Sequence, residues 1–209
     1  MNSRDKILSK IRAGKSIHRP SSIMEPDWNE EVFPVPDNLL ETFVSELTQI
    51  SGRVTLVESE ADFRIKLHHE FVERGWKSIY CLDRKLSNLL APSDVILENG
   101  ADKFLEMEVG LTQCEALVAR SGTVVISSHG DSGRRMNVYP PIHIIYATAS
   151  QLVPFLKDAI ERLESKYGAD YPSLISFVTG ASRTADIEKT LVMGAHGPKE
   201  LHLFVNINI

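Results

Sequence analysis

An arginine set among hydroxyl residues just after a glycine can hold an acid by charge and by two parallel hydrogen bonds. The stretch Thr179-Gly180-Ala181-Ser182-Arg183-Thr184-Ala185-Asp186 has that composition, and it leaves an apolar run that reads as a strand. The small and hydroxyl residues then predict a helix start, whose free backbone N–H groups carry partial positive charge. In this reading Gly180 lets a ligand approach the backbone, Ser182 and Thr184 add donors, Arg183 grips a carboxylate or phosphate, and Asp186 lies in the first turn. The same residues also suit an ordinary helix cap by Ser182 or Thr184, with Asp186 offsetting the helix dipole and Arg183 solvated. A second stretch, Met193-Gly194-Ala195-His196-Gly197-Pro198, reads as a tight turn that presents an imidazole. His196 could act as an acid–base group or bond a substrate oxygen, and it is the candidate catalytic residue. Turn chemistry alone also accounts for its glycines and proline.

A third segment, Gly110 to Pro141, carries further candidates. Thr112, Cys114 and Glu115 open what reads as a helix over Gly110–Ala119. Ser121-Gly122-Thr123 breaks it before a strand at Thr123–Ser127. A polar loop then holds Arg134 and Arg135, and Pro140-Pro141-Ile142-His143 leads into the next strand. Thr112, Glu115, Ser121, Gly122, Arg135 and His143 are the candidate binding residues here, the arginine pair having a solvated loop as its alternative. No metal site is predicted. His68 and His69 are adjacent and point to different helix faces, unlike the i, i+4 pair that chelates an ion. Cys81 lies in an apolar run, and Cys114 has no histidine beside it in sequence. The Walker, dinucleotide, nucleophile-elbow and His-Glu-x-x-His patterns are all missing.

The elements that must position these loops follow from periodicity. Ser3–Ala13 predicts a short helix with a narrow stripe of Ile7, Leu8 and Ile11. Gly14–Pro36, with Pro20, Pro26, Pro34 and Pro36, reads as an extended tether, too apolar around Trp28 and Phe33 to be a free linker. A second helix begins at Asp37 with Leu39, Leu40, Phe43, Val44 and Leu47 on one face. After Gly52, strands at Arg53–Val57, Ser78–Leu82, Asp94–Leu97, Thr123–Ser127, Ile142–Ala147, Leu174–Thr179 and Leu201–Ile207 alternate with helices. Ser59 with Asp62 caps one helix, Gly75 closes it, and Ser150 is expected to cap the long helix to Tyr167 with Pro154 in its first turn. Continuous apolar strands alternating with helices predict a three-layer α/β domain with a largely parallel sheet, at residues 51–209, behind an N-terminal helical arm at 1–50. In such sheets ligands sit outside the carboxyl ends of strands, so the loops after strands are the ones to read.

Composition narrows the function. The 209 residues are 43% hydrophobic and 24% charged with a net charge of −5, and no block of like charges marks a nucleic-acid clamp. No apolar run reaches the ~20 residues of a membrane span, and the charged first residues lack a signal-peptide stretch, so a cytoplasmic protein is expected. Two cysteines cannot ligate a four-thiolate iron–sulfur cluster.

Gly110–Ser128, Pro140–His143, Thr179–Glu188 and Gly194–Pro198 together resemble the LUD-domain family, a likeness covering roughly residues 50 to 209. The resemblance implies a NagB/RpiA/CoA-transferase-like fold and a component of a system that oxidises L-lactate to pyruvate. It implies partners that carry the iron–sulfur clusters, with no cofactor in this chain. This subunit would then bind a small carboxylate, Arg183 on the anion and His196 on the hydroxyl or keto oxygen. Alternatively it is a non-catalytic assembly subunit whose N-terminal helix and proline-rich segment around Trp28 and Phe33 dock partners or a second copy, as a homo-oligomer. An independent enzyme on a phosphorylated sugar or CoA thioester is a further alternative, by analogy of fold. Where many relatives read Ala-Glu-Thr-Gly-Thr, this chain reads Ala119-Arg120-Ser121-Gly122-Thr123, so an acid–base carboxylate at that position is lost.

Overall fold

The computed structural model describes residues 2–15, 33–185 and 191–209. They fall into two compact units, Met1–Pro34 and Val35–Ile209. The first contains helix α1 (Ser3–Lys15), whose Ile7, Leu8 and Ile11 stripe is exposed. Most of the proline-rich tether lies outside the described residues.

In the second unit, α2 (Leu39–Gln49) starts two residues beyond the predicted Asp37, where the side chain of Asn38 accepts the N–H groups of Leu40 and Glu41. There follow β1 (Gly52–Val57), α3 (Glu60–Glu73), β2 (Ile79–Tyr80), α4 (Arg84–Leu90), β3 (Leu97–Glu98), β4 (Val109–Gln113), β5 (Ala116–Val118) and β6 (Thr123–Ser127). The chain continues through β7 (Ile142–Thr148), β8 (Leu152–Val153), α5 (Leu156–Tyr167), β9 (Ile175–Val178), β10 (Arg183–Ala185), β11 (Leu191–Met193) and β12 (Glu200–Asn206). The predicted cap of α3 is present: Ser59 Oγ accepts the Asp62 N–H, Asp62 accepts the Glu58 N–H, and Gly75 takes a positive φ of 65°.

Six strands form one parallel sheet in the order β1-β12-β7-β4-β2-β3. Alternation along the strands divides its side chains between two cores. Phe63, Leu67 and Phe71 of α3 and Leu86 and Leu90 of α4 pack on Val109, Leu111, Ile144 and Phe204 on one face. On the other face, Phe43 and Leu47 of α2 pack with Leu117, Val124 and Ile126 against Ile145, Leu203 and Val205. The result is a three-layer α/β unit, and α2 belongs to its core.

Three predicted elements differ. The helix read over Gly110–Ala119 is two strands, β4 and β5, because Leu111 and Thr112 are drawn between β2 and β7 and Glu115 N–H bonds Val125 to begin a second sheet. That sheet, ordered β8-β5-β6-β9, is mostly antiparallel, so the Leu174–Thr179 strand does not join the parallel one. Ser150 does not cap the long helix. Leu152 and Val153 pair with Leu117 and Val118 instead, and α5 begins after Pro154, with Asp158 accepting the Phe155 N–H. The outer face of the small sheet is covered by Ala159 and Leu163 of α5.

A charged network ties α3 to the sheet at the amino end of β1 and β12. Arg74 holds Glu200 with two bonds of 2.7 and 2.8 Å, Arg53 reaches Glu70 at 3.0 Å, and buried His202 lies 2.9 Å from Glu70 and 2.9 Å from Thr55.

Candidate functional site

The predicted helix start at Ser182 is a strand. Arg183–Ala185 pairs antiparallel with Leu191–Met193, so the free N–H groups of a helix end are not what this loop offers; Asp186 lies outside the described residues. The hairpin serves a different purpose. Ser182 donates its N–H to Pro198 O at 2.8 Å and accepts the Gly194 N–H at 2.9 Å, which clamps the two predicted loops together through one residue. Pro198 precedes β12, and Lys199 N–H bonds Pro141 O just ahead of β7. The site therefore gathers at the amino ends of these parallel strands and not at their carboxyl ends, as the loop-after-strand reading expects. The loop Thr179–Ser182 does follow a strand, but that strand is β9 of the small sheet.

Gly180, Ser182, Arg183 and His196 line one cavity of about 430 Å³, with Asn137 and Thr179. Arg183 and His196 are both exposed there, and among the described residues Arg183 makes no side-chain hydrogen bond or ion pair. No aspartate or glutamate lines this cavity among the described residues. Thr184 faces Val192 across the hairpin and is not part of the wall. Gly180 has φ 82°, and a Cβ there would lie 2.4 Å from Ile50 O, so its missing side chain makes room for the end of α2 and not for a ligand.

The other predicted residues divide among separate places. Gly122, at φ 58°, is pressed against Glu46 and Leu47 of α2. Ser121 bonds Thr123 at 2.7 Å, and Thr123 bonds Thr179 at 2.8 Å, a string of hydroxyls that ends at the cavity wall. Thr112 and His143 are fully buried partners on neighbouring strands, 2.9 Å apart. Burial pushes the His143 imidazole down to about 3, which keeps it neutral, and its Nδ1 has no partner among the described residues. Glu115 is far from the hairpin in its bonding: Ser127 and Tyr167 donate to it at 2.6 Å and Lys166 at 2.7 Å. Burial alone would raise its pKa, but those three donors hold it below the usual carboxylate range. Arg135 is exposed, with its guanidinium 4.1 Å over the Phe104 ring. Both cysteines are free and buried, which pushes Cys81 up to about 11 and Cys114 up to about 12.

Asn137 was not legible as a site residue. It donates to Ser176, and its Oδ1 is buried without a partner among the described residues. A polar residue in a loop of Gly, Ser and Arg carries no pattern that would single it out. A second cavity of about 570 Å³ opens at the carboxyl ends of β4 and β7, where Gln113, Tyr146 and Thr148 meet Lys85 and Glu60. Among the described residues no cluster of three His, Cys, Asp or Glu could hold a metal, and no helix is long and apolar enough to cross a membrane.

A parallel-sheet α/β unit with a hairpin-clamped cationic cavity is thus the class of protein present. Residues 77–205 match the LUD domain family. The chain is 30% identical to "Lactate utilization protein C" of Anoxybacillus flavithermus over 90% of both chains. It is 29% identical to the protein of that name from a Geobacillus species, over 95% of this chain and 93% of the other. A crystal structure of a DUF162 family protein from Deinococcus radiodurans superposes with a TM-score of 0.59 at 18% identity, covering 80% of this chain and 96% of that one. The chain belongs to the LUD domain family.

Proposed function

We propose that this protein is a component of an L-lactate utilization system and that it binds a small carboxylate in the cavity of Arg183. The observation that carries this reading is Arg183 itself: an exposed guanidinium that meets no carboxylate among the described residues, in the same wall as Ser182 and His196. A guanidinium in that state favours an anion, and a carboxylate matches its fork. The names of the relatives support lactate as the acid. In this reading His196 bonds the hydroxyl or keto oxygen, and electrons leave through iron–sulfur partner proteins. Calorimetric titration of the purified chain with L-lactate and pyruvate tests it. Saturable heat that Arg183→Ala reduces by ~10- to 100-fold in affinity is expected, the range for a hydrogen bond to a charged group. Equal binding by the variant, or no heat with either acid, would refute the site.

A docking role favours itself on a separate observation, the exposed stripe Ile7, Leu8 and Ile11 of α1. An amphipathic helix is a recognition element for a partner's groove. Removal of residues 2–15 is then expected to abolish capture of the iron–sulfur partners while the urea midpoint stays in place; unchanged capture would count against the role.

A further inference from the structure

The cavity of Arg183 shares two of its lining residues with a neighbouring cavity. His196 and Gly197 also line a second cavity of about 430 Å³, whose other walls are Val138, Tyr139, Pro141 and Lys199. The two share His196 and Gly197 as walls, so a molecule held at Arg183 that passes the imidazole would reach the neighbouring space. Lactate cannot use that space. With its six non-hydrogen atoms it occupies on the order of 100 Å³, judged against ~30 Å³ for a water, and either cavity alone is several times larger.

The second cavity is also different in kind. Val138 and Tyr139 are 47% and 52% exposed, an apolar patch directly beside a polar one. Tyr139 is braced from behind: its ring lies 5.0 Å from Phe104, which in turn meets Tyr80 edge-on at 5.8 Å. An aromatic surface braced by Phe104, in a cavity that shares His196 and Gly197 with that of Arg183, suits a molecule with an acid at one end and an apolar, ring-bearing group at the other.

We propose that this site takes 2-hydroxy acids with side chains larger than the methyl of lactate, aromatic ones above all, the carboxylate at Arg183 and the side chain on Tyr139. The inference rests on the carboxylate reading of Arg183 and adds the substrate class. The test is titration of the full chain with L-lactate, L-3-phenyllactate and L-malate, beside Arg183→Ala, Tyr139→Ala and Tyr139→Phe. Phenyllactate should bind at least tenfold more tightly than lactate. Tyr139→Ala should bring the phenyllactate-to-lactate ratio back towards one, Tyr139→Phe should keep it, and Arg183→Ala should weaken both acids. Phenyllactate no tighter than lactate, or a ratio indifferent to Tyr139→Ala, overturns the inference while leaving the Arg183 site standing. Malate as the tightest ligand also overturns it, because Lys199 and not Tyr139 would then define the second cavity. Binding of both acids indifferent to Arg183→Ala, or no binding at all, removes the carboxylate reading and this inference with it.

Discussion

Gly122 and Gly180 show how a residue in a functional-looking motif can be required by packing. Each has a positive φ, and a Cβ at either would strike backbone of the α2 region at 2.4 Å, Leu47 N for one and Ile50 O for the other. Backbone cannot yield as a flexible side chain can, so Gly122→Ala and Gly180→Ala should each cost about 2–3 kcal/mol in urea unfolding. Changes within a few tenths of a kcal/mol would refute the packing role. Glu115 makes the same point with charge. Its carboxylate joins Ser127 of β6 to Lys166 and Tyr167 at the end of α5. Glu115→Ala leaves those donors without their acceptor and should destabilise by about 2–4 kcal/mol, read as a lowered unfolding midpoint, without altering lactate affinity. At this scale residue type and loop position single out Ser182, Arg183 and His196 in the sequence, and the fold brings these three to one cavity wall. Thr112, His143 and Glu115 have the same chemical types but are occupied by partners distant in sequence, which no local pattern reveals.

Elements were legible wherever local signals agreed with the tertiary environment. Ser59, Asp62 and Gly75 fix both ends of α3 from within the helix and its caps. Two of the misread segments show where local signals and tertiary environment disagree. Gly110–Ala119 has helix-compatible residues, but burial on both sides between β2 and β7 makes it strand. Arg183–Ala185 has a good capping sequence ahead of it, yet Ser182 gives its backbone groups to Pro198 and Gly194. Cross-sheet bonding of that kind outweighs a cap worth about 1 kcal/mol. The hairpin should therefore be the element that forms the site. Ser182→Pro removes the N–H that bonds Pro198 and should reduce lactate affinity at least tenfold while far-UV circular dichroism stays unchanged. Retained affinity would mean that the clamp does not position Arg183.

For the whole molecule, the parallel sheet and its two-sided core were legible from alternation of apolar strands with helices. The second sheet was not, because strands of both sheets are short and equally apolar. The buried groups also set how the fold responds to acid. His143 titrates near 3 when folded against ~6.5 when unfolded, so between those values the unfolded chain binds more protons. Its contribution is complete above pH 6.5 and falls away as pH drops, by about 2–3 kcal/mol between pH 6.5 and 4.5. Glu115 is also held low, as is Glu70, where burial is outweighed by the His202 hydrogen bond and by the charges of His202, Arg53 and Arg74. Their contributions are present above the ordinary glutamate range and are lost below it, so they leave the pH 6.5–4.5 window largely to His143. Urea unfolding across that window should show a slope that His143→Gln flattens; an equal slope in the variant would refute this assignment.

The central claim places an acid at the amino ends of the strands, on Arg183, while open α/β sheets commonly bind at the carboxyl ends. Both places have a cavity here, which makes the position of binding the direct test. Amide chemical-shift mapping of the full chain with L-lactate should move resonances of Thr179–Arg183 and Gly194–Gly197 in a saturable way, and those of Gln113, Tyr146 and Thr148 should stay still. Shifts at Gln113, Tyr146 and Thr148 with the hairpin silent would contradict the account and move the ligand to the opposite end of the sheet.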